Sequence, residues 1–136
     1  MTVTAYALAV VLNLFVLFVG ARFLLRPRSA AAGYGVPAAR DGDPAHLAVK
    51  GLRDGAFGIL GLALLVFAGA RAEAWFMLAV ALVPLGDTLT VLRHGGTGAV
   101  AFGIHFATAT ATAATAATAT ATAAAVLAGA GLLFAV

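Results

Sequence analysis

Hydrophobic runs of membrane-crossing length dominate the chain and are separated by short polar breaks. A bilayer crossing takes about 20 mainly apolar residues. The first such run extends from about Val3 to Leu25 and is interrupted only by Asn13. A second covers Gly51 to Ala70, with Arg53 and Asp54 in its first turn, and a third covers Ala74 to Leu92, with Asp87 inside it. From Gly95 to Val136 the one ionisable side chain is His105. The middle of that stretch, residues 107–125, is built from Ala and Thr alone. Alanine is the strongest helix former, so the pattern predicts one long, Ala/Thr-rich fourth helix over residues 98–135. The alternative is two spans broken near Gly129 and Gly131. The expected fold is all-α: a single membrane domain, residues 1–136, forming a four-helix bundle.

The breaks set the expected connections. Leu25 to Lys50 contains Pro27, Pro37 and Pro44 and reads as a loop, 26–50, whereas 71–73 and 93–98 read as tight turns. On this topology Arg22, Arg26, Arg28, Arg40, Lys50, Arg53 and Arg93 share one side, with Arg71 alone on the other. The positive-inside rule makes the crowded side cytoplasmic and puts both termini outside. Residues 1–21 carry no charged side chain, and the positive residues follow the apolar run. That is the order of a retained anchor and not of a cleaved signal peptide. A multi-pass protein of the cell (plasma) membrane is expected.

Composition agrees. Hydrophobic residues make up 63% and charged ones 10%, against about 25% charged in soluble domains. A soluble chain this short has too little interior to hide so much apolar surface. The isoelectric point near 10.2 comes from eight Lys and Arg against five Asp and Glu. No basic run is interleaved with aromatic residues, so nucleic acid is not an expected partner. The partners expected are the lipid bilayer and a lipophilic small molecule. Absence of cysteine removes disulfides, thiolate metal sites and thiol catalysis together. Nucleotide-binding, zinc-protease and serine-hydrolase motifs are missing, and the one serine, Ser29, lies in the basic loop. Neither a cofactor nor a metal is expected; Asp87, His94 and His105 would converge on an ion only with distortion.

Ionisable groups inside spans are costly and are functional candidates by default. Asp87 lies six residues before Arg93, and His105 seven after Gly98. At 1.5 Å rise per residue a hairpin brings the two to similar depth, about 9–11 Å inside their helix ends. Arg53 and Asp54 enter from the same side. Arg53, Asp54, Asp87 and His105 therefore form the expected cluster in the cytoplasmic half, with no counterpart in the outer half. Asp87, Thr90 and His94 share a helix face, as do Asp54, Gly58 and Gly61. Pro84 and Gly86 are expected to loosen the third helix beside Asp87. His105, Thr108, Thr112, Thr115 and Thr122 form a stripe expected to face protein, although threonines also bond their own i−4 carbonyls. The structural alternatives stand beside these. Arg53 and Asp54 read equally as an interfacial ion pair, and Asp87 and His105 as groups that merely hold the bundle. Asn13 reads as an interhelical hydrogen bond, and His46 and His94 as solvated.

The stretch Arg26-Pro-Arg-Ser-Ala-Ala-Ala-Gly-Tyr-Gly-Val-Pro37, then Lys50-Gly-Leu-Arg-Asp-Gly55, Pro84-Leu-Gly-Asp87, Arg93-His94 and His105, resembles an uncharacterised family of small four-span membrane proteins. That family is a domain of unknown function, DoxX-like in layout. The resemblance covers roughly residues 5–125 and is marked by the Arg-Asp pair, the third-helix Asp and the fourth-helix His; the Ala/Thr tract is unusual for it. It implies the fold and the membrane location and no activity. Three functions are consistent with the residues. One is a small membrane enzyme using Asp87 as acid or base, His105 as its proton partner and Arg53 with Asp54 as an orienting pair, under a lid formed by 26–50. The second is an accessory subunit whose polar cluster holds the bundle together. The third is a small proton-coupled exporter, disfavoured because the first helix offers Asn13 in place of an acid.

Overall fold

The computed structural model describes residues 3–35 and 45–118, and all of its regular elements are helices. Helix α1, Val3–Leu25, is followed by a short helix α2, Pro27–Tyr34. Helices α3, Ala45–Ala68, α4, Ala70–Arg93, and α5, Gly98–Thr118, complete the described residues. With α1 they give four helices long and apolar enough to cross a membrane. The expected all-helical, four-span architecture holds. Residues 119–136, including Thr122, Gly129 and Gly131, lie outside the described residues, as does 36–44.

Local chemistry explains the breaks. Pro27 follows Arg26, whose φ of −142° and ψ of 63° are non-helical, as the residue before a proline prefers. Helix α2 ends on Gly35 at φ 92°, a left-handed cap open to a residue without Cβ. Helix α3 widens over its last turn, Leu64–Ala68, and Gly69 closes it with a backbone bond of 2.8 Å to Leu64. Helix α4 is interrupted at Ala81, one residue after the carbonyl that Pro84 leaves without its helical partner. The loosening expected beside Asp87 thus falls a turn and a half earlier.

Two boundaries differ from those expected. Residues 27–34, assigned to a loop, form α2, and α3 starts at Ala45, six residues before Gly51. Both differences carry polar residues into the bundle. Helices α1 and α3 pack through small residues. A Cβ on Gly20 would stand 2.4 Å from the Gly55 nitrogen, and one on Gly58 2.7 Å from the Asn13 carbonyl. Backbones approach this closely only where side chains are absent. Phe67 is 88% exposed whereas Glu73 is 0% exposed, an inside-out distribution that makes sense with lipid as the solvent.

Candidate functional site

The polar centre of the bundle is assembled from four helices around Tyr34, the last residue of α2. Its phenol donates a short hydrogen bond to Oδ2 of Asp87 on α4. Lys50 Nζ on α3 donates to the same phenol oxygen at 3.0 Å and to Asp54 Oδ2 at 2.8 Å, and stands 3.8 Å from Asp87 Oδ2. The ammonium also lies 4.2 Å from the centre of the Tyr34 ring, within cation–π range. From α5, His105 Nε2 donates to the Tyr34 carbonyl at 2.9 Å. A carbonyl can only accept, so this nitrogen carries the hydrogen. The two rings meet edge to face, 4.1 Å between centres.

The expected cluster is therefore assembled, with different wiring. Asp87 accepts from the Tyr34 phenol and His105 donates to the Tyr34 backbone carbonyl, so the two residues meet Tyr34 at different atoms and not each other. This corrects the expected direct Asp87–His105 proton pair. Arg53 pairs with its neighbour Asp54, Nη2 to Oδ1 at 3.2 Å, but its side chain is 45% exposed against 7% for Asp54. It serves as a rim charge, and Lys50 supplies the inner cation. Two cations, Lys50 and Arg53, balance two carboxylates, Asp54 and Asp87. Such pairing is what lets charge persist away from water. Thr90 and His94 are exposed on α4, bonding Gly86 and Thr90 carbonyls respectively, so the face they were expected to share with Asp87 does not continue the site. Asp54, Gly58 and Gly61 are all buried, and the two glycines lie against Asn13 of α1.

Tyr34 lies outside the spans. Its removal from water, and then the negative charge of Asp87, push its phenol well above the usual tyrosine range. Tyr34 is thus a fixed hydrogen donor at neutral pH.

Beside this network lies a cavity of about 360 Å³, within the size range of small-molecule pockets. Apolar residues such as Phe15, Val19, Phe57 and Val83 form most of its wall, and Tyr34, Asp54, Asp87 and His105 form its polar end. Thr108 and Thr112 continue the wall along α5. Their hydroxyls bond back to the carbonyls of Ile104 and Thr108. His105, Thr112 and Thr115 are buried, so this part of the stripe does face protein. His105 also lies within a wide helical turn, Ala101–Phe106, a distortion frequent at functional sites.

A second polar pair lies at the other end of α4. Asn13 Nδ2 donates to Glu73 Oε1 at 2.5 Å and to the Ala9 carbonyl at 2.9 Å. Glu73 is wholly buried, and its Oε2 is without a hydrogen-bond partner among the described residues. The expectation that ionisable groups gather at one end is corrected by Glu73, which lies in the first turn of α4 and not in a connecting turn. Asn13 does make the interhelical bond expected of it.

Sequence reasoning missed Tyr34, Lys50 and Glu73. Lys50 was within reach, since it stands four residues before Asp54, the spacing of a helical ion pair, once α3 is started earlier. Tyr34 gave no periodic signal inside Gly-Tyr-Gly. Glu73 is 60 residues from Asn13, and only the unmet need of a mid-span amide pointed to a partner.

Four apolar spans around a buried polar centre define a multi-pass integral membrane protein. The chain belongs to the family described as Domain of unknown function (DUF4267), which matches residues 13–119. The match contains every residue of the Tyr34-centred network and does not bear on a DoxX-like layout. No curated protein and no solved structure matches the chain.

Proposed function

We propose that the protein binds a lipophilic small molecule in the cavity between its spans and carries out acid/base chemistry on it at Asp87 and Tyr34. The observation that carries this is the cavity itself: an apolar wall of about 360 Å³ ending on Tyr34, Asp54, Asp87 and His105. An apolar pocket with a few convergent polar groups is the usual form of a binding site. In this reading Asp87 takes a proton from the ligand and returns it, the Tyr34 phenol keeps its own proton and supplies a hydrogen bond, and Lys50 offsets the negative charge that develops. His105 acts as a positioning residue through the Tyr34 carbonyl. The site faces the cytoplasm of a plasma-membrane protein with both termini outside, which the charge bias between connections supports.

The test uses protein in nanodiscs incubated with extracted membrane lipids, followed by mass spectrometry of retained and converted molecules. Wild type retains a lipophilic molecule, Thr108→Phe loses it by filling the cavity, and Asp87→Asn retains it without converting it. Unchanged conversion by Asp87→Asn removes the acid/base reading.

One observation favours a second reading, an accessory subunit of a larger membrane complex. Lys50 satisfies Asp54 and bonds Tyr34, which in turn satisfies Asp87, so the network also closes on itself as a bundle clamp. Under that reading Asp87→Asn lowers thermal stability, Thr108→Phe has no effect on bound lipid, and the protein co-purifies with a partner.

A further inference from the structure

We propose that the ligand of this cavity is an amphiphile with an anionic head, a carboxylate or a phosphate, and that Arg22 holds that head. The inference rests on the cavity being a ligand site, as above, and adds the class of molecule.

Arg22 lies in the last turn of α1, and among the described residues it is the one arginine on the cavity wall. The two acids on that wall are already engaged. Asp54 is paired with Lys50 and Arg53, and Asp87 accepts from Tyr34 with Lys50 nearby. Among the described residues no carboxylate lies within ion-pair distance of Arg22. Among the described residues the wall therefore carries a neutralised acid/base centre and one cation, Arg22, with no acidic partner. Arg22 is exposed, so its stem can lie along apolar surface while its head stays free. A guanidinium presents a planar fork that fits carboxylate and phosphate oxygens in pairs. Phe15, Phe18 and Val19 continue from Arg22 along the same helix into the cavity wall. A cation at one edge and an apolar wall beyond it complement a chain with a charged head. A neutral hydrocarbon would make no use of Arg22, and a lipophilic cation would be repelled by it.

The test is native mass spectrometry of the full chain in zwitterionic nanodiscs, titrated with oleate, dodecyl phosphate or oleyl alcohol. Wild type is expected to bind at least one of the two anions more tightly than the alcohol. Arg22→Gln weakens that binding about tenfold or more, as loss of a hydrogen bond to a charged group implies. Arg22→Lys recovers part of it, and Arg28→Gln, which removes a charge of the same sign away from the cavity, does not weaken it. Loss confined to oleate assigns the head to carboxylates, and loss confined to dodecyl phosphate assigns it to phosphates; either supports the proposal. Equal binding of all three probes by wild type and Arg22→Gln overturns it while leaving the lipophilic cavity standing. If Thr108→Phe leaves probe binding unaltered, the ligand site itself is lost and this inference with it.

Discussion

Lys50 Nζ stands 2.8 Å from Asp54 Oδ2 and 3.0 Å from the Tyr34 oxygen, so one ammonium on α3 joins a helix that precedes it to its own next turn. Arg53, three residues further on, reaches Asp54 alone among the described residues and is half in solvent. The two cations therefore differ in what they hold, and the difference is measurable. Lys50→Met leaves Asp54 buried without its inner partner and is expected to cost about 3–5 kcal/mol. Arg53→Gln removes an exposed pair worth about 0–1 kcal/mol. Unfolding in mixed micelles separates the two, and equal losses would show that Lys50 is not the inner cation.

The buried phenol makes a prediction about pH. Folding raises the Tyr34 pKa above the unfolded value of about 10, so the protein holds this proton after the unfolded chain has released it. Stability is then indifferent to this group below about pH 10 and falls as pH rises further, because the unfolded state binds fewer protons. Absorbance titration of wild type minus Tyr34→Phe is expected to show no phenolate up to about pH 11. A step near pH 10 in that difference would mean that Tyr34 is open to water.

Gly20, Gly51, Gly58 and Gly61 on the α1–α3 contact are expected to tolerate no side chain. Gly20→Ala places a methyl 2.4 Å from the Gly55 backbone, and overpacking of this kind costs about 1–3 kcal/mol. Gly33→Ala, where a Cβ meets nothing within 4 Å, is expected to be neutral or slightly stabilising. Thermal unfolding of the two variants, compared with wild type, checks the packing directly.

At the other end, Asn13→Leu strands Glu73 without its hydrogen bond and is expected to cost about 1–3 kcal/mol. Glu73→Gln keeps an oxygen that accepts from Asn13 and is expected to stay within about 1 kcal/mol of wild type. Similar losses from both substitutions would show that the carboxylate charge itself is required.

Much of this architecture was readable along the chain. Apolar runs of membrane length, the charge-poor interior and the in-span Asp87 and His105 follow from composition and spacing, because lipid imposes the same demand on every span: apolar side chains outward and a paired backbone inside. Helix starts were less legible. Lys50 looks like a loop charge until α3 is seen to begin at Ala45, and Tyr34 looks like a turn residue until α2 is seen to lie against the bundle. Local sequence carries propensity, whereas each of these residues is held by contacts far along the chain.

Legible along the chain were the membrane location, the four helices, and the identity of three side chains in the polar centre: Asp54, Asp87 and His105. Tertiary structure alone decided that Tyr34 meets both Asp87 and His105, that Lys50 replaces Arg53 as the inner cation, and that Glu73 is buried against Asn13. The physical reason is one of range. Hydrophobic periodicity is set within a few turns of helix, but the partner of a buried charge is whichever group the packed helices bring within about 3 Å. In this chain those partners lie 53 residues apart for Tyr34 and Asp87 and 71 apart for Tyr34 and His105.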